Sequence, residues 1–238
     1  MDQFLTSDFW LAVSQIIVID ILLGGDNAVV IALACRRLPE AQRKQGILWG
    51  TVGAILLRVV LIMFALTLLK VPYLKLIGAG FLLWIGVKLM LPEDEGEHAK
   101  IPANERLWAA VRTVIIADFI MSLDNVIAIA GVAESGDKAH ELVLVVLGLL
   151  ISIPIIMWGS RLVIRLMERF PLIITLGGML LGWIAGSIAL EDPALIRWVP
   201  AVESAGAALG YVAGGAGALL VFAAGFLLKS RQATAAGS

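Results

Sequence analysis

Four aspartates stand inside long apolar runs of this 238-residue chain, and they fall into two matching groups. Asp20-Ile-Leu-Leu-Gly-Gly-Asp26-Asn27 returns 98 residues later as Asp118-Phe-Ile-Met-Ser-Leu-Asp124-Asn125. On a helix, a step of seven residues turns about 700°, nearly two full turns, so Asp20 shares a face with Asn27 and Asp118 with Asn125. Ser122 lies on the same face, four residues after Asp118; its counterpart is Gly24. Carboxylate, amide carbonyl and hydroxyl are hard oxygen ligands, suited to Mg²⁺, Ca²⁺ or Mn²⁺. Asp26 and Asp124 stand about 120° off that face in a straight helix. Gly24 and Gly25 offer a break that would swing Asp26 inward, as in the discontinuous helices of transporters. The second copy lacks that glycine pair.

Charge balance sharpens the reading. Arg58 sits in the middle of an apolar run, too deep to snorkel, and is expected to act as a charge partner for an Asp rather than for an anionic substrate. Against four ionised acids it leaves three negative charges. A divalent cation would neutralise two of them, protons the remainder, and a proton–metal exchange follows from that competition. The alternative for each Asp is structural, a hydrogen bond that caps or staples a helix, and it weighs more for Asp26 and Asp124 than for the residues on the common face.

The elements that carry these residues must lie in lipid. Apolar residues make up 60% of the chain and charged residues 16%, with a mean hydropathy of +0.96. A soluble domain carries about 25% charged residues. The formal net charge of −1 gives no reason to expect nucleic acid. A single cysteine, Cys35, excludes an intramolecular disulfide and a cysteine-cluster metal site. His98 and His140 fall in polar connecting segments and make a histidine zinc site unexpected.

A membrane helix needs about 20 apolar residues. Seven runs meet this: Phe9–Ala34, Gly46–Leu69, Leu74–Leu91, Leu107–Val132, Leu142–Trp158, Leu172–Leu190 and Ala205–Leu228. The N-terminus has no basic region or small-residue cleavage site, so the first run is expected to be retained. Thirteen basic residues flank the runs on one side and four, Lys70, Lys75, Lys138 and Arg197, on the other. The positive-inside rule places the thirteen in the cytoplasm, the N-terminus outside and the C-terminus inside. Lys75 and Lys88 read as interfacial anchors.

The 98-residue offset extends past the acids. Pro72, Gly78 and Trp84 are echoed by Pro171, Gly177 and Trp183 with one residue inserted. Three runs per repeat is an odd number, so the second copy enters the membrane from the opposite side. The expected fold is all-α, with seven transmembrane helices: two inverted three-helix repeats plus a C-terminal helix. The expected boundaries are a first repeat at 1–91, an acidic cytoplasmic linker at 92–106, a second repeat at 107–190, and an extra helix with a cytoplasmic tail at 191–238. Inverted repeats place a shared site near the bilayer midplane.

At these motifs the sequence resembles the TerC family of integral membrane proteins, from about Phe9 to Leu228. The resemblance implies membership of a wider group of small exporters similar to the LysE type. It implies metal efflux from the cytoplasm across a bacterial inner membrane, with manganese the favoured ion in several branches. The family's association with tellurite resistance does not make tellurite a substrate. Its acidic motif carries over to Asp20, Asp26, Asn27, Asp118, Asp124 and Asn125. The spacing itself selects no ion among Mn²⁺, Ca²⁺ and Mg²⁺.

The leading expectation is a divalent-cation exporter working by proton-coupled antiport, not an enzyme and without a resident cofactor. Its partners would be the metal ion, protons, the bilayer and, in a homo-oligomer, further copies of the chain. No G-x-x-x-x-G-K-[ST] phosphate loop is present. An intramembrane aspartyl protease is the enzymatic alternative, but Leu23 stands where its Gly-x-Gly-Asp element needs glycine. The other alternative is a partner protein in a metal or tellurite stress-response complex that transports nothing.

Overall fold

In hydrocarbon every backbone N–H and C=O must find its partner within the protein, and an uninterrupted helix achieves this locally. The computed structural model describes residues 7–68, 70–91, 102–133, 138–199 and 206–236. Within these, the side chains at 7–9, 12, 19–24, 63, 65–67, 103, 124–133, 138–145, 206–207 and 232–236 fall outside the description. The described residues are helical apart from short turns and caps. The helices are α1 (Ser7–Cys35), α2 (Glu40–Leu68), α3 (Leu74–Met90), α4 (Ala103–Ala133), α5 (Lys138–Arg169), α6 (Leu172–Leu190), α7 (Pro193–Trp198) and α8 (Gly206–Ala236).

Among the described residues, four helices are long and apolar enough to cross a membrane, over Glu40–Ile62, Val146–Arg169, Leu172–Leu190 and Ala208–Arg231. Large apolar side chains stand exposed along them, Trp158 at 68% and Tyr211 at 66%, as lipid contact requires. The chain is a multi-pass membrane protein.

Three local expectations change. α1 runs unbroken through Gly24 and Gly25, since a break there would strip backbone hydrogen bonds in an apolar medium. α5 runs through Pro154 and on to Arg169, about 48 Å in all, well beyond the hydrocarbon thickness. It also starts early enough to include His140. The six-residue α7 was not foreseen; Asp192 caps it and Pro193 opens it. Most of the acidic linker, residues 92–101, lies outside the described residues.

The chain folds as two compact units, Met1–Leu69 with Ala110–Ile164, and Lys70–Ala109 with Arg165–Ser238. The first therefore gathers α1 and α2 with most of α4 and α5. Glycines let its helices approach. A Cβ on Gly50 would lie 3.1 Å from Val114 Cγ1, and one on Gly53 would lie 2.6 Å from Ile115 Cδ1. These contacts advance along both helices together, so α2 and α4 run in the same direction. A Cβ on Gly148 would lie 2.5 Å from Ile16 Cγ2, and one on Gly159 would lie 3.7 Å from Ala28 Cβ, so α1 and α5 are also parallel. The pair Gly50–Val114 differs from the pair Gly148–Ile16 by 98 in each number, with the two members taken from exchanged copies.

The second unit packs α6 between α3 and α8 through small residues. Gly86 meets Gly178 across α3 and α6, while Gly182 meets the backbone of Gly217 and Gly186 that of Ala213 across α6 and α8. Backbones brought this close supply the packing that lipid-exposed helices lack otherwise. One end is fastened by Asp192, which is fully buried. Its Oδ1 accepts from the backbone N–H of Tyr73 (2.9 Å) and Ala194 (2.8 Å), and its Oδ2 from those of Lys75 (3.0 Å) and Leu76 (3.2 Å). One carboxylate thus caps both α3 and α7, and holds Tyr73 at a left-handed φ of 67°. Lys75 is no free interfacial anchor: its side chain is buried, and Nζ donates to Glu191 at 2.9 Å. Lys88 instead lies over the Trp84 ring at 4.8 Å.

Burial pushes the Asp192 carboxyl up, but the four backbone donors outweigh it and hold the group below its ordinary 3.8. A depressed carboxyl stabilises fully above its unfolded value, near 3.9, and loses that contribution as pH falls through the lower folded value. Asp192→Ala is expected to cost roughly 2–4 kcal/mol at pH 7 by orphaning these donors. The difference in Tm between wild type and variant should shrink as melts in detergent are taken below about pH 4. A difference that is constant down to about pH 2 would remove the carboxylate from this role.

Candidate functional site

Two helices of the first unit meet through a buried ion pair. Arg58 comes from the middle of α2 and is 2% exposed; Asp118, from α4, is 4% exposed. Arg58 Nη2 donates to Asp118 Oδ1 at 2.7 Å. Arg58 Nε donates to Ser122 Oγ at 3.1 Å, and the Ser122 hydroxyl donates in turn to Asp118 Oδ2 at 3.1 Å. The three side chains close a ring in which every named donor has an acceptor. The helix period explains the shape. Ser122 is one turn past Asp118, so hydroxyl and carboxylate stand one above the other and present a two-point target to the guanidinium fork. Gly50 and Gly53, one to two turns before Arg58, bring α2 close enough to α4 for the arginine to reach.

On α1, Asn27 is buried, and its side-chain oxygen and nitrogen make no hydrogen bond among the described residues; Asp26 Oδ1 is in the same condition. Asp26 lies within electrostatic range of both Asp118 and Arg58. Asp26 on α1 thus stands within electrostatic range of the ring that joins α2 to α4. The side chains of Asp20, Asp124 and Asn125 fall outside the described residues, although their backbones are helical. Among the described residues, no three acidic, histidine or cysteine side chains gather as a metal-binding group. Asp26, Asn27, Asp118 and Ser122 are thus the expected ligands whose surroundings are visible, and Arg58 holds the last two.

Sequence reasoning missed Thr51. It is buried, and its hydroxyl is unpaired among the described residues. A membrane-helix threonine ordinarily returns its hydroxyl to a carbonyl one turn back, as Ser152 does to Gly148 and Ser160 to Ile156. The overlooked signal is spacing: Thr51 precedes Arg58 by seven residues, the same two-turn step that joins Asp20 to Asn27.

The ring has a stability consequence. Arg58→Met leaves the Asp118 carboxylate buried without its cation and is expected to cost about 3–5 kcal/mol, read as a fall in Tm in detergent. Adding Asp118→Asn removes the orphaned charge and should recover more than half of the loss. Additive losses from the two changes would show that the residues are not coupled.

Comparison with known proteins agrees with a chain built for the membrane. The sequence profile of the integral membrane protein TerC family matches residues 5–233. The "Uncharacterized membrane protein YjbE" of Bacillus subtilis is 43% identical over 188 residues, covering 79% of this chain and 83% of that protein. The "Uncharacterized membrane protein YceF" of the same organism is 27% identical over 188 residues, covering 76% of this chain and 71% of the relative. The "UPF0053 inner membrane protein YgdQ" of Escherichia coli K12 is 25% identical over 178 residues, covering 68% and 73%. No solved structure matches. With the match spanning nearly the whole chain and including both acidic motifs, this chain belongs to the TerC family of integral membrane proteins.

Proposed function

We propose that the protein exports a divalent metal cation, Mn²⁺ in the first instance, in exchange for protons. The observation that carries this reading is the Arg58–Asp118–Ser122 ring. A carboxylate and its oxygen-bearing neighbours are kept in the middle of apolar helices, where charge is expensive and is retained for a task. Asp26 and Asn27 add oxygen atoms with no hydrogen bond among the described residues. Asp20, Asp124 and Asn125 complete the ligand set by the repeat. The ion is substrate here. Oxygen donors suit Mn²⁺, Ca²⁺ and Mg²⁺ alike, and the choice of Mn²⁺ leans on the family.

The architecture proposed is seven transmembrane helices, with α1–α3 and α4–α6 as inverted repeats and α8 as the added span. Its support is the pair of glycine contacts related by 98 residues, with parallel α2–α4 and α1–α5 pairs that the exchange of copies turns into one another. The basic residues orient this bundle in a bacterial inner membrane with the N-terminus outside and the C-terminus in the cytoplasm. Protons compete with the metal for carboxylate oxygens, so protons arriving from outside release the ion there and carry the site back.

The test is Mn²⁺ flux in proteoliposomes of the purified protein, with and without an imposed pH gradient. Efflux is expected to rise on inward proton movement. Asp118→Asn and Asp20→Asn should each abolish it while the protein still inserts, and Asp26→Asn and Asp124→Asn should reduce it less. Parallel Ca²⁺ and Mg²⁺ runs assign the ion. Flux insensitive to the gradient removes antiport; normal flux from the Asp20→Asn, Asp118→Asn double variant removes the site; and no flux of any of the three ions removes the transporter reading.

A further inference from the structure

We infer that Arg58 is a tethered cation that occupies the transport site whenever the metal is absent, so that metal and guanidinium exchange places on Asp118 and Ser122. The inference rests on the reading of the site as a divalent-cation site and adds a mechanism to it.

The geometry carries the argument. Two of the expected ligands with described surroundings, Asp118 and Ser122, are both taken by one guanidinium, at 2.7 Å and 3.1 Å. The remaining ligand capacity in view, Asp26 Oδ1 and the Asn27 amide, has no hydrogen-bond partner among the described residues. A metal bridging α1 and α4 would need the oxygens that Arg58 now holds. The guanidinium is always charged, so it cannot leave by losing its proton; it leaves only if another cation takes its acceptors. A divalent ion brings twice its charge into the same low-dielectric pocket and prevails where a monovalent ion does not.

The exchange also addresses ion release. A buried carboxylate left bare is strongly unfavourable, and a transporter that held its ion only with bare carboxylates would bind tightly and turn over slowly. Arg58 returning to Asp118 fills the charge as the metal departs. The flexible stem of the arginine permits this movement, and Asp26, within electrostatic range of Arg58 on α1, is an acid toward which the displaced guanidinium can turn. The device is one-sided: 98 residues on from Arg58 stands Ile156, so the repeat supplies no second arginine.

The test is Mn²⁺ binding by isothermal titration to purified protein in detergent at pH 8, where protons compete least. The proteins are the wild type, Arg58→Met and Arg58→Lys. Removing a competitor tightens binding, so Arg58→Met is expected to bind on the order of tenfold more tightly than wild type, while its Mn²⁺ flux falls because release is unassisted. Arg58→Lys keeps a charge without the two-armed fork and should fall between the two; it serves alone if Arg58→Met does not fold. An arginine that merely orients Asp118 predicts the opposite sign, weaker binding in both variants. Wild-type binding that is unchanged or weakened by both substitutions overturns the tethered-cation mechanism and leaves the transporter reading intact. A wild type that neither binds nor moves Mn²⁺, Ca²⁺ or Mg²⁺ overturns the transporter reading and the inference with it.

Discussion

A permanent positive charge in the middle of a membrane helix is the constraint around which the first unit is built. Arg58 cannot deprotonate and cannot reach an interface, so the fold must bring an anion to it. Asp118 is that anion, and Ser122 satisfies the second arm. Meeting this requirement fixes more than two side chains. It sets the register of α2 against α4 and calls for the close approach that Gly50 and Gly53 allow, in a pair of helices that run in the same direction. Consecutive helices in a chain are naturally antiparallel, so a parallel pair has to be made across a longer connection, and the buried charge gives that pairing its specificity.

The second unit solves a different problem. Its described buried polar side chains, Lys75 and Asp192, lie at helix ends rather than in mid-span. Its cohesion comes from glycines that let backbones touch and from a carboxylate that gathers the loose N–H groups of two helix starts. Both devices work without carrying charge through lipid. The candidate ligands whose side chains are described lie on α1 and α4, with Arg58 on α2, while the described interior of the unit built from α3, α6 and α8 holds no mid-span charge.

What the sequence discloses follows from which signals are local. α6 is read to the residue and α3 to within one, because Pro72, Pro92 and Pro171 mark their ends. The last third of α5 is missed because Arg161, Arg165 and Arg169 lower the hydropathy of a stretch that stays helical. α7 is too short to show a period. Asp118, Ser122 and Arg58 are legible because polar residues are conspicuous in apolar runs. Which acid the arginine chooses is a tertiary fact and leaves no local trace. Thr51 goes unnoticed because threonine in a membrane helix usually satisfies itself, and only the structure shows that it does not. Asp192 goes unnoticed because an aspartate between helices looks like any solvated turn residue until four backbone donors are found on it.

The two copies of the acidic motif keep their carboxylates and asparagines and differ in what surrounds them. Ser122 corresponds to Gly24, Arg58 to Ile156 and Thr51 to Leu149. Architecture related by a two-fold exchange would, with identical chemistry, hold an ion equally from either side of the membrane. A charge and two hydroxyls, each without its counterpart in the other copy, would remove that equivalence. Under the function proposed above, Asp118 would meet a competing cation for which the other copy has no counterpart in sequence, and an ion moving between the copies would meet a step rather than a level path. In the transporter proposed above, directionality would then reside in the residues that break the repeat, and Arg58, the charged one of these three, would make the largest difference.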